Sequence, residues 1–172
     1  MDITIRRAHP AEHEALGDLT ARAYLDDGHL DHGAEDRYLA VLRDVAGRAA
    51  HAEILVAVAD DAASRELLGG VTFVPSGGPM ADIARDGETE IRMLAVSPAA
   101  RGRGVGELLV RDCVQRSRDA GRDRLVLSSS PTMRTAHRLY ERLGFIRTPE
   151  RDWYPIPGLP LLTYALELPT AP

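Results

Sequence analysis

The run VSPAARGRGVGELLV, from Val96 to Val110, restricts the fold of this chain more than any other stretch. Its six residues Arg101 to Gly106 hold three glycines and two arginines, and apolar residues then recur at helical spacing. Upstream, TEIRMLAVS (Thr89 to Ser97) reads as a core strand, so the glycines occupy a strand-to-helix junction. The first N–H groups of a helix have no intrahelical acceptor and carry partial positive charge. Residues without Cβ let the backbone curl against an anion, and Arg101 and Arg103 can add charge-assisted hydrogen bonds. The junction is expected to cradle a pyrophosphate. It is not a P-loop, which needs Lys and then Ser or Thr after its last glycine; Val105 and Glu107 flank Gly106 instead. Nor is it the dinucleotide fingerprint, whose third glycine would fall on Glu107 or Leu109.

The other bulk features narrow the class. A chain of 172 residues with 44% hydrophobic and 27% charged residues suits one soluble domain, 1–172, with a sizeable core. A formal net charge of −5 disfavours nucleic acid and anionic membranes as partners, so any basic site is local. Cys113, the single cysteine, cannot form an internal disulfide and falls on an apolar helix stripe, as a small buried hydrophobe does. The opening MDITIRRAHP carries no apolar signal region, and no stretch reaches the ~18 apolar residues of a membrane span. A cytoplasmic protein is the expectation. No Cys/His set has zinc spacing, so no metal is expected.

Periodicity predicts strands at Ile3 to Ala8, Glu53 to Asp60, Leu67 to Val74, Thr89 to Ser97, Arg124 to Ser130, Ile146 to Thr148 and Leu161 to Leu168. Helices are predicted from Ala11 to Leu25, Glu35 to Ala50 and about Gly104 to Ala120. A fourth is predicted to start on a Ser130 cap with Pro131 at its first position and to end at Gly144. An acidic turn makes a hairpin of the second and third strands. The order β-α-α-β-β-β-α-β-α-β-β implies a mixed α/β sheet.

Two segments together resemble a known family. EIRMLAVSPAARGRGVG (Glu90 to Gly106) is similar to the fourth strand and pyrophosphate loop of the GNAT superfamily of acyl-CoA-dependent N-acetyltransferases. AHRLYERLGF (Ala136 to Phe145) resembles its second conserved segment. The resemblance extends from Ile3 to about Leu168. It implies a central, mostly antiparallel sheet flanked by helices, with two parallel strands, Thr89–Val96 and Arg124–Ser129, splayed around acetyl-CoA as cosubstrate. Leu94, Ala95 and Val96 would line the pantetheine arm, and Arg101, Gly102, Arg103, Gly104, Val105 and Gly106 would hold the pyrophosphate. Tyr140 would contact the cofactor and act as general acid toward the departing thiolate; its place on an apolar helix face also suits a packing role.

Glu90 matches the position from which some members draw a general base, with Glu88 as the fallback. A primary amine of pKa ~10.4 is mostly ammonium at neutral pH and must lose a proton before it attacks. Met133 stands where the family often has asparagine, so that polar contact would fall to Ser129 or Ser130. The acceptor would be met by the loop of Asp26, Asp27, His29, Asp31 and His32 and by the segment carrying Glu150, Asp152, Trp153 and Tyr154. Carboxylates with aromatics suit a cationic amine on a small molecule, peptide N-terminus or lysine. The alternative is a non-catalytic acyl-CoA-binding sensor of the same fold. The resemblance also allows a homodimer.

Overall fold

The structure is a computed structural model and describes residues 2–60 and 65–169. Eight strands form the sheet: β1 (Ile3–Arg7), β2 (Glu53–Ala59), β3 (Leu67–Val74), β4 (Glu88–Val96), β5 (Arg124–Ser129), β6 (Ile146–Arg147), β7 (Trp153–Ile156) and β8 (Leu159–Glu167). Their order is β1-β2-β3-β4-β5-β8-β6, with β7 on β8, and every pairing is antiparallel except β4 with β5. The helices are α1 (His13–Asp26), α2 (Tyr38–Arg43), α3 (Val45–Ala49), α4 (Val105–Asp119) and α5 (Arg134–Arg142). β2 is buried on both faces, which is why EILVAVA reads as a continuous apolar run. One face packs Leu55, Phe73, Ile91, Leu125 and Leu127 against Leu109, Val110 and Cys113 of α4. The other packs Val56 and Val58 against Leu16 of α1 and Val45 of α3.

The mixed sheet and the splayed parallel pair match the expectation, and four local readings are corrected. The predicted helix from Glu35 to Ala50 is broken. Asp44 leaves helical geometry at φ −81°, ψ 63°, and its carboxylate accepts the Gly47 N–H at 3.0 Å to start α3. Leu42 and Val45 stay buried on either side of the break, so the apolar period passes through it. The last helix starts at Arg134, not Pro131. The Met133 N–H closes a turn on the Ser130 carbonyl at 3.0 Å, and the Ser130 hydroxyl pairs with that of Thr132. β7 is absent from the predicted strands; Pro155 cannot donate to a ladder, and the strand forms as the outer arm of a hairpin on β8, where one side needs no partner. α4 begins at Val105, with Gly104 as its cap. The turn between β2 and β3 falls partly outside the described residues.

A bulge opens the centre of the sheet. Between Gly70↔Ala95 and Thr72↔Arg92, β4 has one residue more than β3. Met93 absorbs it at φ 56°, the one non-glycine residue with positive φ among those described. The parallel ladder stops one step earlier, at Ile91↔Leu127. β5 continues to Ser129 along β8, but β4 bends away, and Arg92 to Val96 have no partner on β5.

Candidate active site

The gap beside β4 opens into a cavity of about 680 Å³. Leu94, Ala95 and Val96 line it from the strand edge, and Arg101, Gly102, Gly104, Val105 and Gly106 line it from the junction. The two segments singled out in the sequence thus form adjoining walls. Gly104 sits at φ 76°, a left-handed cap that glycine adopts without penalty, and a Cβ placed there would meet only open space. The first intrahelical bond of α4 runs from Leu108 N–H to the Gly104 carbonyl at 3.0 Å. The N–H groups of Val105, Gly106 and Glu107 therefore precede the helical ladder and point their partial charge toward the cavity end of α4. An unstrained glycine turn, an uncapped helix start and Arg101 fit a pyrophosphate.

Arg103, Ser129, Tyr140 and Glu90 stand outside this lining. Tyr140 is buried, its ring 5.6 Å from that of Phe145 and 5.9 Å from that of Tyr164. Burial pushes its phenol up, so it keeps its proton across neutral pH. The Ser129 hydroxyl pairs with His137 Nε2 at 3.0 Å and lies 3.6 Å from the Met133 sulfur, while Met133 itself faces the cavity. Cys113 is fully buried, and burial raises its thiol, as a packing residue requires.

The two glutamates of β4 have separate tasks. Glu90 is 1% exposed, and its Oε1 accepts the N–H groups of Asp82, Ile83 and Ala84 at 3.1, 3.0 and 2.9 Å. It anchors the loop before β4. Burial raises its carboxyl despite those bonds, the direction a general base near neutral pH requires. Glu88 takes Arg151 at 2.9 Å and Arg124 at 2.9 Å, and Arg124 continues to Glu167. Burial alone would raise Glu88, but the two arginines outweigh it and hold it at about 2. A carboxylate so held is a poor proton acceptor, so the fallback base is a structural anion.

A depressed folded-state pKa stabilises above the unfolded value of 4.5 and is lost as pH falls toward 2. Glu88→Gln is therefore expected to cost about 3 kcal/mol at neutral pH, because Arg151 is left buried without its counter-charge. Denaturant melts at stepped pH should show that difference shrinking between pH 4.5 and 2. A pH-independent difference would refute the linkage.

The expected acceptor residues divide. Asp27 and His29 line the same cavity as the glycine junction. The Asp27 carboxylate holds Arg101 at 2.7 Å, and His29 Nδ1 shares a 3.0 Å hydrogen bond with Thr132. The end of α1 thus clasps both the glycine loop and the start of α5. Asp152 is occupied by a two-point pair with Arg147 at 2.8 and 2.7 Å and by the Thr163 N–H. The Trp153 indole donates to Ser128 at 2.9 Å, and Tyr154 is exposed. Asp26 and Asp31 are exposed, His32 is exposed beside Asp36, and Glu150 is exposed in the turn before β7. These carboxylates do not form one anionic pocket. Sequence reading also passed over Arg134, Arg138 and Arg142, which line the cavity from α5. Their four-residue repeat was the available signal.

Among the described residues no helix is long and apolar enough to cross a membrane, and no group of His, Cys, Asp or Glu could hold a metal ion. The sequence profile of the Acetyltransferase (GNAT) family matches residues 14–145. An uncharacterized N-acetyltransferase of Schizosaccharomyces pombe is 37% identical over 92 residues, 54% of this chain and 52% of that protein. The matched stretch thus spans about half the length of that relative, and 26% of a Danio rerio N-acetylaspartate synthetase that is 32% identical over 43% of this chain. In structure, a GNAT-family acetyltransferase of Staphylococcus aureus superposes with a TM-score of 0.75 at 13% identity, over 98% of this chain and 100% of that one. A putative acetyltransferase of Salmonella typhimurium, solved with its cofactor acetyl-CoA, gives 0.68 at 22% identity over 98% and 95%. With the glycine junction, the bulged fourth strand and the split parallel pair in place, the profile match shows that the chain belongs to the GNAT acetyltransferase family.

Proposed function

We propose that this protein is an acetyl-CoA-dependent N-acetyltransferase that moves an acetyl group to a primary amine by direct attack on the thioester. The observation that carries the reading is the unpaired edge of β4, set in one cavity with the glycine junction. Acetyl-CoA supplies an activated acyl group, two amides in its pantetheine arm and an anionic pyrophosphate. The edge from Leu94 to Val96 offers backbone donors and acceptors to those amides. One N–H of that edge would polarise the thioester carbonyl, the group on which negative charge develops. The turn from Arg101 to Gly106, with the first N–H groups of α4, holds the pyrophosphate.

Tyr140, kept protonated by burial, gives its proton to the departing thiolate, and the proton that the attacking nitrogen sheds as the amide forms restores the phenol. Glu90 takes the ammonium proton. Its Oε1 is engaged by three N–H groups, so the base role falls to Oε2. That same engagement favours the second reading, a non-catalytic acyl-CoA sensor in which Glu90 only holds the loop. Steady-state thiol release from acetyl-CoA, screened across amino acids, polyamines and peptide N-termini, separates the two. Amine-dependent release supports the enzyme. Tight acetyl-CoA binding without release for any amine supports the sensor, and binding of neither acetyl-CoA nor CoA overturns both.

A further inference from the structure

We infer that Arg134 and Arg138 of α5 form a dedicated site for the ribose 3′-phosphate of CoA, separate from the pyrophosphate cradle. The inference rests on the acetyl-CoA reading above. The charge of the cavity points to an anion. Arg101, Arg134, Arg138 and Arg142 line it, against Asp27 and Glu107, in a chain of net charge −5. Asp27 holds Arg101 at 2.7 Å, and Glu107 holds Arg142 at 3.4 Å. Arg134 and Arg138 form no ion pair among the described residues; Arg138 donates one hydrogen bond, to the uncharged Thr135 hydroxyl at 3.3 Å.

Their placement works against the helix. Like charges four residues apart destabilise a helix, and Arg134, Arg138 and Arg142 repeat that spacing along a nine-residue helix. Arg134 also puts a cation at the positive end of α5, where the first turn has no acidic residue and no side-chain cap. An anion between the two guanidinium groups removes both penalties. Side chains at this spacing are about 5–6 Å apart at Cβ, so both forks can reach one phosphate.

Chemistry selects which phosphate. The pyrophosphate is met by the glycine turn and the start of α4, which meets α5 at its C-terminal half, with Gly106 beside Leu139 and Glu107 on Arg142 at 3.4 Å; Arg134 stands at the other end of α5. The remaining phosphate of CoA is a monoester, which carries about −1.5 to −2 at neutral pH and suits a pair of arginines. The ligand class assigned to α5 is therefore a ribose phosphomonoester, and the consequence is discrimination of CoA from 3′-dephospho-CoA.

The test is calorimetric titration of the full chain with CoA and with 3′-dephospho-CoA, which share the pyrophosphate. The wild type is expected to bind dephospho-CoA about tenfold or more weaker, in line with two charge-assisted contacts. An Arg134→Gln/Arg138→Gln chain should bind CoA only as well as the wild type binds dephospho-CoA, with dephospho-CoA itself unchanged within about twofold. Added salt should narrow the wild-type ratio. Both side chains are exposed, and thermal melts of the variant should match the wild type or exceed it. Equal wild-type affinity for the two ligands overturns the site while leaving the acetyl-CoA reading intact. Equal weakening of both ligands by the substitutions also overturns it, by assigning the arginines to the pyrophosphate. Binding of neither ligand overturns the cosubstrate reading and this site with it.

Discussion

Gly104→Glu abolishes CoA binding while the chain stays folded. Gly104 lies at φ 76°, and a side chain there enters open space at the junction wall of the cavity. The new carboxylate would sit beside the N–H groups of Val105, Gly106 and Glu107, as a bound anion does. At ~4 Å from a phosphate charge, and at an intermediate effective dielectric, the repulsion is ~4 kcal/mol, or about three orders of magnitude in affinity. The left-handed backbone adds ~1–2 kcal/mol of strain for any residue with Cβ. Gly104→Ala carries that strain without the charge and calibrates it. Calorimetry should show no measurable binding for the glutamate variant and a modest loss for the alanine variant, with intact circular dichroism in both. Normal binding by folded Gly104→Glu protein would remove the cradle from its assigned place.

The second large effect falls on turnover. Tyr140→Phe should lower kcat by about 100-fold or more, the usual range for a lost general acid, while the acetyl-CoA Kd stays within about twofold. The ring contacts with Phe145 and Tyr164 are kept in the phenylalanine variant, so packing does not confound the result. Burial raises the phenol pKa, so the acid form persists through neutral and mildly alkaline pH. The wild-type rate should accordingly show no alkaline decline near the ordinary tyrosine pKa. An unchanged kcat would return Tyr140 to a packing role. A fall in kcat matched by equal loss of binding would assign it to holding the cofactor.

The glycine junction was readable because its chemistry is backbone chemistry: absent Cβ atoms and unpaired N–H groups follow from residue identity alone. The strand and helix order was readable from apolar period. The roles of Glu88 and Glu90 were not, since two residues apart on one strand they carry similar local sequence. What separates them is Arg151, 63 positions away, and a loop that folds its own N–H groups onto Glu90. Asp27 was assigned to the acceptor by its acidic neighbours, yet its partner Arg101 lies 74 positions downstream. The break at Asp44 escaped detection because a one-residue kink leaves Leu42 and Val45 buried together. Long-range ion pairs and short kinks leave no periodic trace.

The bulge at Met93 leaves the chain with a seam through the middle of its own sheet. An open strand edge is normally a hazard, because it templates pairing with another chain. This one faces a cleft lined by α1, α4 and α5, in which a slender linear amide can lie along the strand. A molecule that completes the ladder binds the folded chain and not the unfolded one. At a hundred times its Kd such a molecule adds about 2.7 kcal/mol to stability by mass action, a large share of a typical small domain's margin. Resistance to heat and proteolysis then becomes a readout of cosubstrate supply, and apo and loaded chains differ in lifetime as well as in activity.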